Sequence, residues 1–280
     1  MDNNGGLRVG RIDYLNIWPV FESIKDDPVT EEITYVSGHP SILNRGLADG
    51  TIDMAPSSSY EYLLHAERYR LLPNLGISAE NEVWSVLFCL PFSFDKLEEY
   101  VLKGGSIRLT SASAASSALL KVLWHFHWKL PPPVWKVVQP GCSLESKEPF
   151  LEIGDQALNI HLYPGNELLV MDLAGEWKKF TGLPFVFGLW IINQQAYHKN
   201  GLIIDRMNTS LQRAANNLPR LISSLAKQYP GKCFSPEIIM EYWKKIHFKL
   251  GPDHLAGLAV FGKYLTRMGL TGGMPVLDFI

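Results

Sequence analysis

Two apolar runs constrain this chain more than any other feature: VWSVLFCL at Val83–Leu90 and PFVFGLWII at Pro184–Ile192. Runs of that length and uniformity read as strands covered on both faces, and both are far too short to span a bilayer. Between them lies a stretch with its own alternation of strands and helices. The simplest geometry is two lobes joined by two crossing strands, the middle lobe inserted into the first. Residues 1–88 and 190–280 then form the first α/β lobe, with the C-terminal helices, and residues 89–189 the second. That arrangement implies a cleft between lobes, a common place for small-molecule sites.

The first third alternates regularly. LRVGRI, ITYVS and TIDMAP read as strands. PVFESI and HPSILNRGLADG read as helices, the second starting near His39 or Ser41 and stopping at Gly50. SSSYEYLLHAERY starts on serines and continues as a helix. Strands interleaved with helices of this length predict a parallel sheet. Further on, SIRLTS reads as a strand and SASAASSALLKVLWHFHW as one long helix with Ala115, Leu119, Val122, Leu123 and Phe126 on a face. FLEI, a tight turn and a helix follow, then LLVMDL as a strand and AGEWKKFTG as a short helix. After Asn193 the pattern is helical to the end.

With 46% hydrophobic and 19% charged residues, the 280-residue chain has material for a substantial core. Its formal net charge of −2 gives no global basic character, so nucleic acid is not an expected partner. The opening MDNNGGLRVG has neither a positive start nor a long apolar stretch, so no secretory signal and no membrane partner are expected. Cys89, Cys142 and Cys233 are scattered, with neither zinc spacing nor a disulfide framework, which fits a reducing cytoplasm. No metal is expected: His125 and His127, two apart on a helix, diverge. Conventional catalytic signatures (GxGxxG, a Walker loop, GxSxG) are missing, and no cofactor is expected. His39 is the one other histidine worth watching. Oligomeric state is not encoded in any pattern here.

In parallel α/β sheets ligands bind beyond the carboxyl ends of strands, where helix N-termini attract anions. The residues at those junctions are therefore the candidates. Asn16 follows the first strand, and Ser57 and Ser58 end the third. Ser85 starts the first long apolar run. Thr110, Ser111, Ser113 and Ser116 surround the start of the long helix, and Gly154 and Asp155 form the turn after LEI. Serines at helix starts are often only caps. Their recurrence at junction after junction points instead to a pocket of neutral donors suited to a small polycarboxylate.

Several stretches together resemble one family. GRIDYLNIWP (Gly10–Pro19) is similar to the opening motif of the menaquinone-biosynthesis family that includes chorismate dehydratase of the futalosine pathway. MAPSSSYEYL, VWSVLF and IGDQAL are similar to further segments of that family, and DLAGEWKKFTGLPFVFGLW (Asp172–Trp190) matches nearly residue for residue. The resemblance runs from about residue 7 to 195 and thinly into the helical tail. It implies a two-lobed type II periplasmic-binding-protein-like fold with two hinge strands and a helical C-terminal tail. In the sister branch, which cleaves a cyclic futalosine derivative to a dihydroxynaphthoate, the matching stretch looks like IHE, with the histidine as candidate base; this chain has Gly154-Asp155 there and no histidine, which favours the dehydratase branch.

What the resemblance implies chemically is dehydration of chorismate to 3-[(1-carboxyvinyl)oxy]benzoate, with Asn16 and Ser85 as the catalytic pair. Ser57, Ser58, Thr110, Ser111, Ser113, Ser116, Gly154 and Asp155 are the expected substrate-binding residues. Two other readings remain open on the sequence: a non-catalytic binder of a small carboxylate, and the sister lyase. Asp13 stands where the family usually has serine. Its charge is harmless to an anionic ligand only if it points away or pairs with Arg8 or Arg11.

Overall fold

The computed structural model describes residues 6–143, 147–165 and 167–280. Residues 1–5 of the N-terminal stretch read above, and the side chain of Ser41, lie outside that description. The chain begins with strand β1 (Leu7–Arg11), helix α1 (Trp18–Ser23), β2 (Ile33–Ser37), α2 (Pro40–Asp49), β3 (Met54–Ser58), α3 (Ser59–His65) and β4 (Tyr69–Ala79). It continues with β5 (Val86–Leu90), α4 (Leu97–Leu102), β6 (Ser106–Thr110), α5 (Ala114–Val122), β7 (Val134–Val138), β8 (Phe150–Ile153), α6 (Gly154–Leu162), β9 (Leu169–Asp172) and α7 (Leu173–Thr181). Last come β10 (Phe185–Asn193), α8 (Gln194–Gln228), α9 (Pro236–Trp243), β11 (His247–Lys249) and α10 (Pro252–Arg267).

These elements gather into two compact units. The first comprises Met1–Ser78, Val186–Gly251 and Pro275–Ile280; the second comprises Ala79–Phe185 and Pro252–Met274. Residues 79–185 of the second unit thus interrupt the first along the chain. The bounds differ from the expected 88/89 and 189/190: β5 lies wholly in the second unit, and so does the C-terminal helix α10. The reason for the latter is packing. A Cβ on Gly257 of α10 would lie 2.2 Å from the Pro184 carbonyl oxygen, and Phe261 meets Phe185 and Trp177 edge-on at 4.9 and 6.1 Å.

The first unit is built on a sheet of order β11-β4-β10-β3-β1-β2. Strand β1 is parallel to β2 and β3, whereas β10 runs antiparallel to β3, and β11 antiparallel to β4. The sheet is therefore mixed, not parallel as the alternation predicted, because β10 returns along β3. Leu7, Val9 and Met54 are fully buried, and Gly10 exists because a Cβ there would lie 2.7 Å from that of Ala55. Asn193 caps α8 by accepting from the amides of Gln195 and Ala196 at 3.0 and 3.2 Å. Buried Ile204, Met207, Leu211, Ala214, Ala215 and Leu218 form a single stripe on α8 at helical spacing.

The second unit holds a sheet of order β7-β6-β8-β5-β9, with β6 parallel to β7 and β8 and β5 antiparallel to β8 and β9. Its core includes the cluster of Leu87, Cys89, Phe150 and Ala157 and the fully buried Trp177, whose indole N–H donates to Pro184 O at 3.1 Å. The expected long helix from the SASAASS stretch is α5 followed by a π-helical turn at Leu123–His127. Among the described residues Cys89, Cys142 and Cys233 are free thiols, and no helix is long and apolar enough to cross a membrane.

Candidate functional site

Strand order decides which candidates share a neighbourhood. In the first unit β1, β2 and β3 are parallel neighbours, so their carboxyl ends lie on one edge of the sheet. Asn16 follows β1 on that edge, His39 follows β2 as the N-cap of α2, and Ser57 and Ser58 end β3. The loop that carries Asn16 is pinned on both sides. Leu15 and Ile17 are fully buried, and the Leu15 carbonyl accepts from the Trp243 indole at 2.8 Å. Trp18 stacks on that indole at 5.8 Å. Asn16 itself is half-buried, and its amide oxygen is buried without a hydrogen-bond donor among the described residues. A buried acceptor left so costs about 1–3 kcal/mol, which a ligand donating to it would recover.

The neighbours of Asn16 are already engaged. The Ser57 hydroxyl donates to Asn44, and the Ser58 hydroxyl caps α3 by accepting from Tyr60 N at 3.2 Å. Tyr14 OH lies 3.5 Å from His39 Nδ1, linking the loops after β1 and β2. Asp13 is exposed and bound to Arg11 at 3.0 Å, while Arg8 is occupied by Asp53, so the Asp13 charge is turned to solvent and paired.

In the second unit the register again collects one edge. Ile153 at the end of β8 is opposite Val86 at the start of β5, and Leu87 is opposite Asp172 at the end of β9. Thr110 ends β6, parallel to β8. Ser85, Thr110, Ser111, Ser113, Gly154 and Asp155 therefore share that edge, with Ser116 one turn into α5. Ser113 caps α5, accepting from Ser116 N at 3.2 Å and donating to the Ser116 hydroxyl at 2.8 Å. Ser111 is exposed and reaches Gln139 at 3.4 Å, and buried Thr110 accepts from Ala112 N at 3.3 Å. Gly154 adopts φ +67, which glycine takes freely, and its N–H donates to Ser85 O at 2.9 Å. Asp155 lies in the first turn of α6, favoured there by the helix dipole. Ser85 is 4% exposed.

Three features of this edge were not legible in advance. Trp84, immediately before Ser85, has φ +65, a conformation that costs a bulky residue about 1–3 kcal/mol. Its ring stacks on His161 at 4.7 Å. Asp172 accepts from Val83 N and Trp84 N with one oxygen, at 2.9 and 2.7 Å, and from Ala174 N and Gly175 N with the other, at 3.0 and 3.1 Å. Hydrogen bonds to a charged acceptor contribute about 1.5–3 kcal/mol each, enough to offset the strain at Trp84. Burial pushes the Asp172 carboxyl up to about 6, against the pull of those amides. An aspartate that opens a helix reads as a cap in the sequence; the contacts of its second oxygen do not. A cavity of about 300 Å³ in the first unit, walled by Leu218, Ile222, Trp243 and Phe248, includes none of the candidates.

Comparison with known proteins bears on both fold and family. The alkanesulfonate-binding protein of Xanthomonas axonopodis pv. citri matches with a TM-score of 0.67 at 15% identity, covering 98% of this chain and 96% of its own. Protein AF1704 of Archaeoglobus fulgidus matches at 0.66 and 15%, over 96% of this chain and all 100% of its own. A Candida albicans protein described as having the generic periplasmic binding protein fold matches at 0.64 and 10% identity, over 98% and 96%. At these identities the likeness concerns fold alone: α/β and periplasmic-binding-protein-like. Two curated relatives are named chorismate dehydratase. That of Campylobacter jejuni is 32% identical over 195 residues, 68% of this chain and 70% of the relative. That of Thermus thermophilus is 28% identical over 276 residues, 90% of this chain and 92% of the relative. The family described as menaquinone biosynthesis matches residues 7–267, nearly the whole chain, and the protein belongs to that family.

Proposed function

We propose that this protein is a chorismate dehydratase, a carbon–oxygen lyase that converts chorismate to 3-[(1-carboxyvinyl)oxy]benzoate and water. The observation that carries the reading on this chain's own residues is the amide oxygen of Asn16, buried with no donor among the described residues. It stands in the motif that the family resemblance marks as catalytic, and both curated relatives bear that activity in their names.

The substrate has two carboxylates, an enol ether and an allylic hydroxyl. Removing one ring proton and the hydroxyl makes the ring aromatic, so the reaction is strongly downhill and needs mainly fixed geometry and placed charge. The proton on the ether-bearing carbon is acidic through the conjugated ring carboxylate. Donors at that carboxylate stabilise the charge that develops there; Ser111, Ser113 and the first amides of α5 are assigned to it. Asn16 and Ser85 do not titrate near neutrality, so neither is the base. The enolpyruvyl carboxylate of the substrate takes that part, oriented by Ser85 and by the NH2 group of Asn16, which donate to it, while the Asn16 amide oxygen is assigned to accept from the allylic hydroxyl. Three free thiols and a biosynthetic reaction fit a cytoplasmic enzyme.

The test is incubation of purified protein with chorismate, followed by loss of substrate and gain of benzoate absorbance. A binding protein would return chorismate unchanged, and the sister lyase would instead consume the cyclic futalosine derivative. Either result overturns the reading.

A further inference from the structure

Asp172 does more than cap a helix. The cap of α7 uses one carboxylate oxygen, on Ala174 N and Gly175 N. The other accepts from Val83 N and Trp84 N, the two residues directly before Ser85. Trp84 is one of three non-glycine residues with positive φ among those described, the others being Asn74 and Lys129. A positive φ turns the backbone differently from an extended conformation, so the φ of Trp84 helps set the direction in which the chain enters Ser85. Its ring is held by His161, and the carbonyl of Ser85 accepts from Gly154 N, which fixes the turn from its far side.

We propose that Asp172 is a positioning residue for Ser85: by accepting the amides of Val83 and Trp84 it holds Trp84 left-handed and so aims the Ser85 hydroxyl. The inference rests on the reading of Ser85 as part of the catalytic pair. Two oxygens are required, because each faces two N–H donors. An asparagine has one acceptor, and with that oxygen on the helix cap its NH2 group would meet the amides of Val83 and Trp84, donor against donor.

The test is a double-mutant cycle on the full chain, read as kcat and KM for chorismate, with Ser85→Ala measured beside it. Asp172→Asn keeps a good helix cap and is expected to lower kcat about 100-fold, as small misplacements of a reacting group do, with KM moving less than about threefold. In a Trp84→Gly background, where glycine adopts φ +65 without help, the same substitution is expected to cost less than about tenfold. If Asp172→Asn fails to fold, Asp172→Ser, which also caps, takes its place in both backgrounds. Equal losses in the two backgrounds, a loss confined to KM, or turnover within about twofold of the parent overturns the inference. Wild-type turnover in Ser85→Ala overturns the reading beneath it, whereas an inactive Ser85→Ala without coupling in the cycle sinks the positioning role alone.

Discussion

The two strand-end edges differ in how their polar groups are employed. On the edge of the second unit the polar groups largely satisfy one another: Ser113 with Ser116, Gly154 with Ser85, and Asp172 with four amides. On the edge of the first unit Ser57 and Ser58 are likewise spoken for, but the amide oxygen of Asn16 is buried with no donor among the described residues. Hydroxyls at helix starts thus follow from cap chemistry and are weak pointers to a ligand. A buried acceptor with no internal donor is a strong one, because the fold loses free energy by keeping it.

The sharpest way to break this contrast is Asn16→Ala. Turnover of chorismate should fall at least about 100-fold, the scale for deleting one placed polar group. The melting temperature should hold or rise, because a buried unsatisfied acceptor disappears. A large drop in melting temperature with turnover preserved would place Asn16 among the structural polar groups and erase the contrast. The next effect concerns pH. The Asp172 carboxyl is raised from 3.8 to about 6, so the fold binds its proton more tightly than the unfolded chain does. Its stabilising contribution is complete below 3.8 and lost as pH rises through about 6, so acidification does not loosen the fold through this group. A protonated oxygen nevertheless gives up its role as acceptor. With Glu82 raising that proton affinity and Lys179, bound to Glu176, the nearby cation, turnover should decline on the acid side around pH 6 while the melting temperature does not follow. A flat rate profile to pH 5 would break this.

Smaller effects sharpen the same comparison. Ser113→Ala removes the α5 cap and should cost about 1 kcal/mol of stability, read by denaturant unfolding. If the hydroxyl also binds substrate, KM rises with it; if KM stays level, Ser113 is a cap and nothing more. The smallest change is expected from Asp13→Ser. Asp13 is exposed and paired with Arg11, so turnover should stay within about twofold, since exposed ion pairs contribute little. A large gain would show that its charge opposes the substrate after all.

Much of the architecture was readable along the chain. Gly50, at φ +76, ends α2 where the pattern stops, Asn16 lies in the loop between β1 and α1, and Ser57 lies near the end of β3. Strand β4 was not readable, because Pro73, Asn74 and Gly76 break its local pattern. It forms because β10 and β11 pair with it. Asn74, at φ +58, offers its carbonyl to Leu250 N at 3.0 Å, and Gly76 lets β10 come close, since a Cβ there would lie 2.8 Å from Gly188 O. The short β11 escaped notice for the same reason: three residues carry no period, only a partner. Strand direction escaped too, because alternation of strand and helix says nothing about a strand that returns, as β10 does along β3.

The order of apolar and polar residues along this chain determined its class and the motifs that place it in its family. Those are properties of local periodicity and residue identity, which need no partner to be read. Tertiary structure alone decided that Trp84 is left-handed, that Asp172 reaches back to it across about ninety residues of chain, and that the buried oxygen of Asn16 meets no donor among the described residues. Each depends on which backbone amides converge on a given oxygen, and contacts between residues so distant in sequence leave no period for a sequence to display.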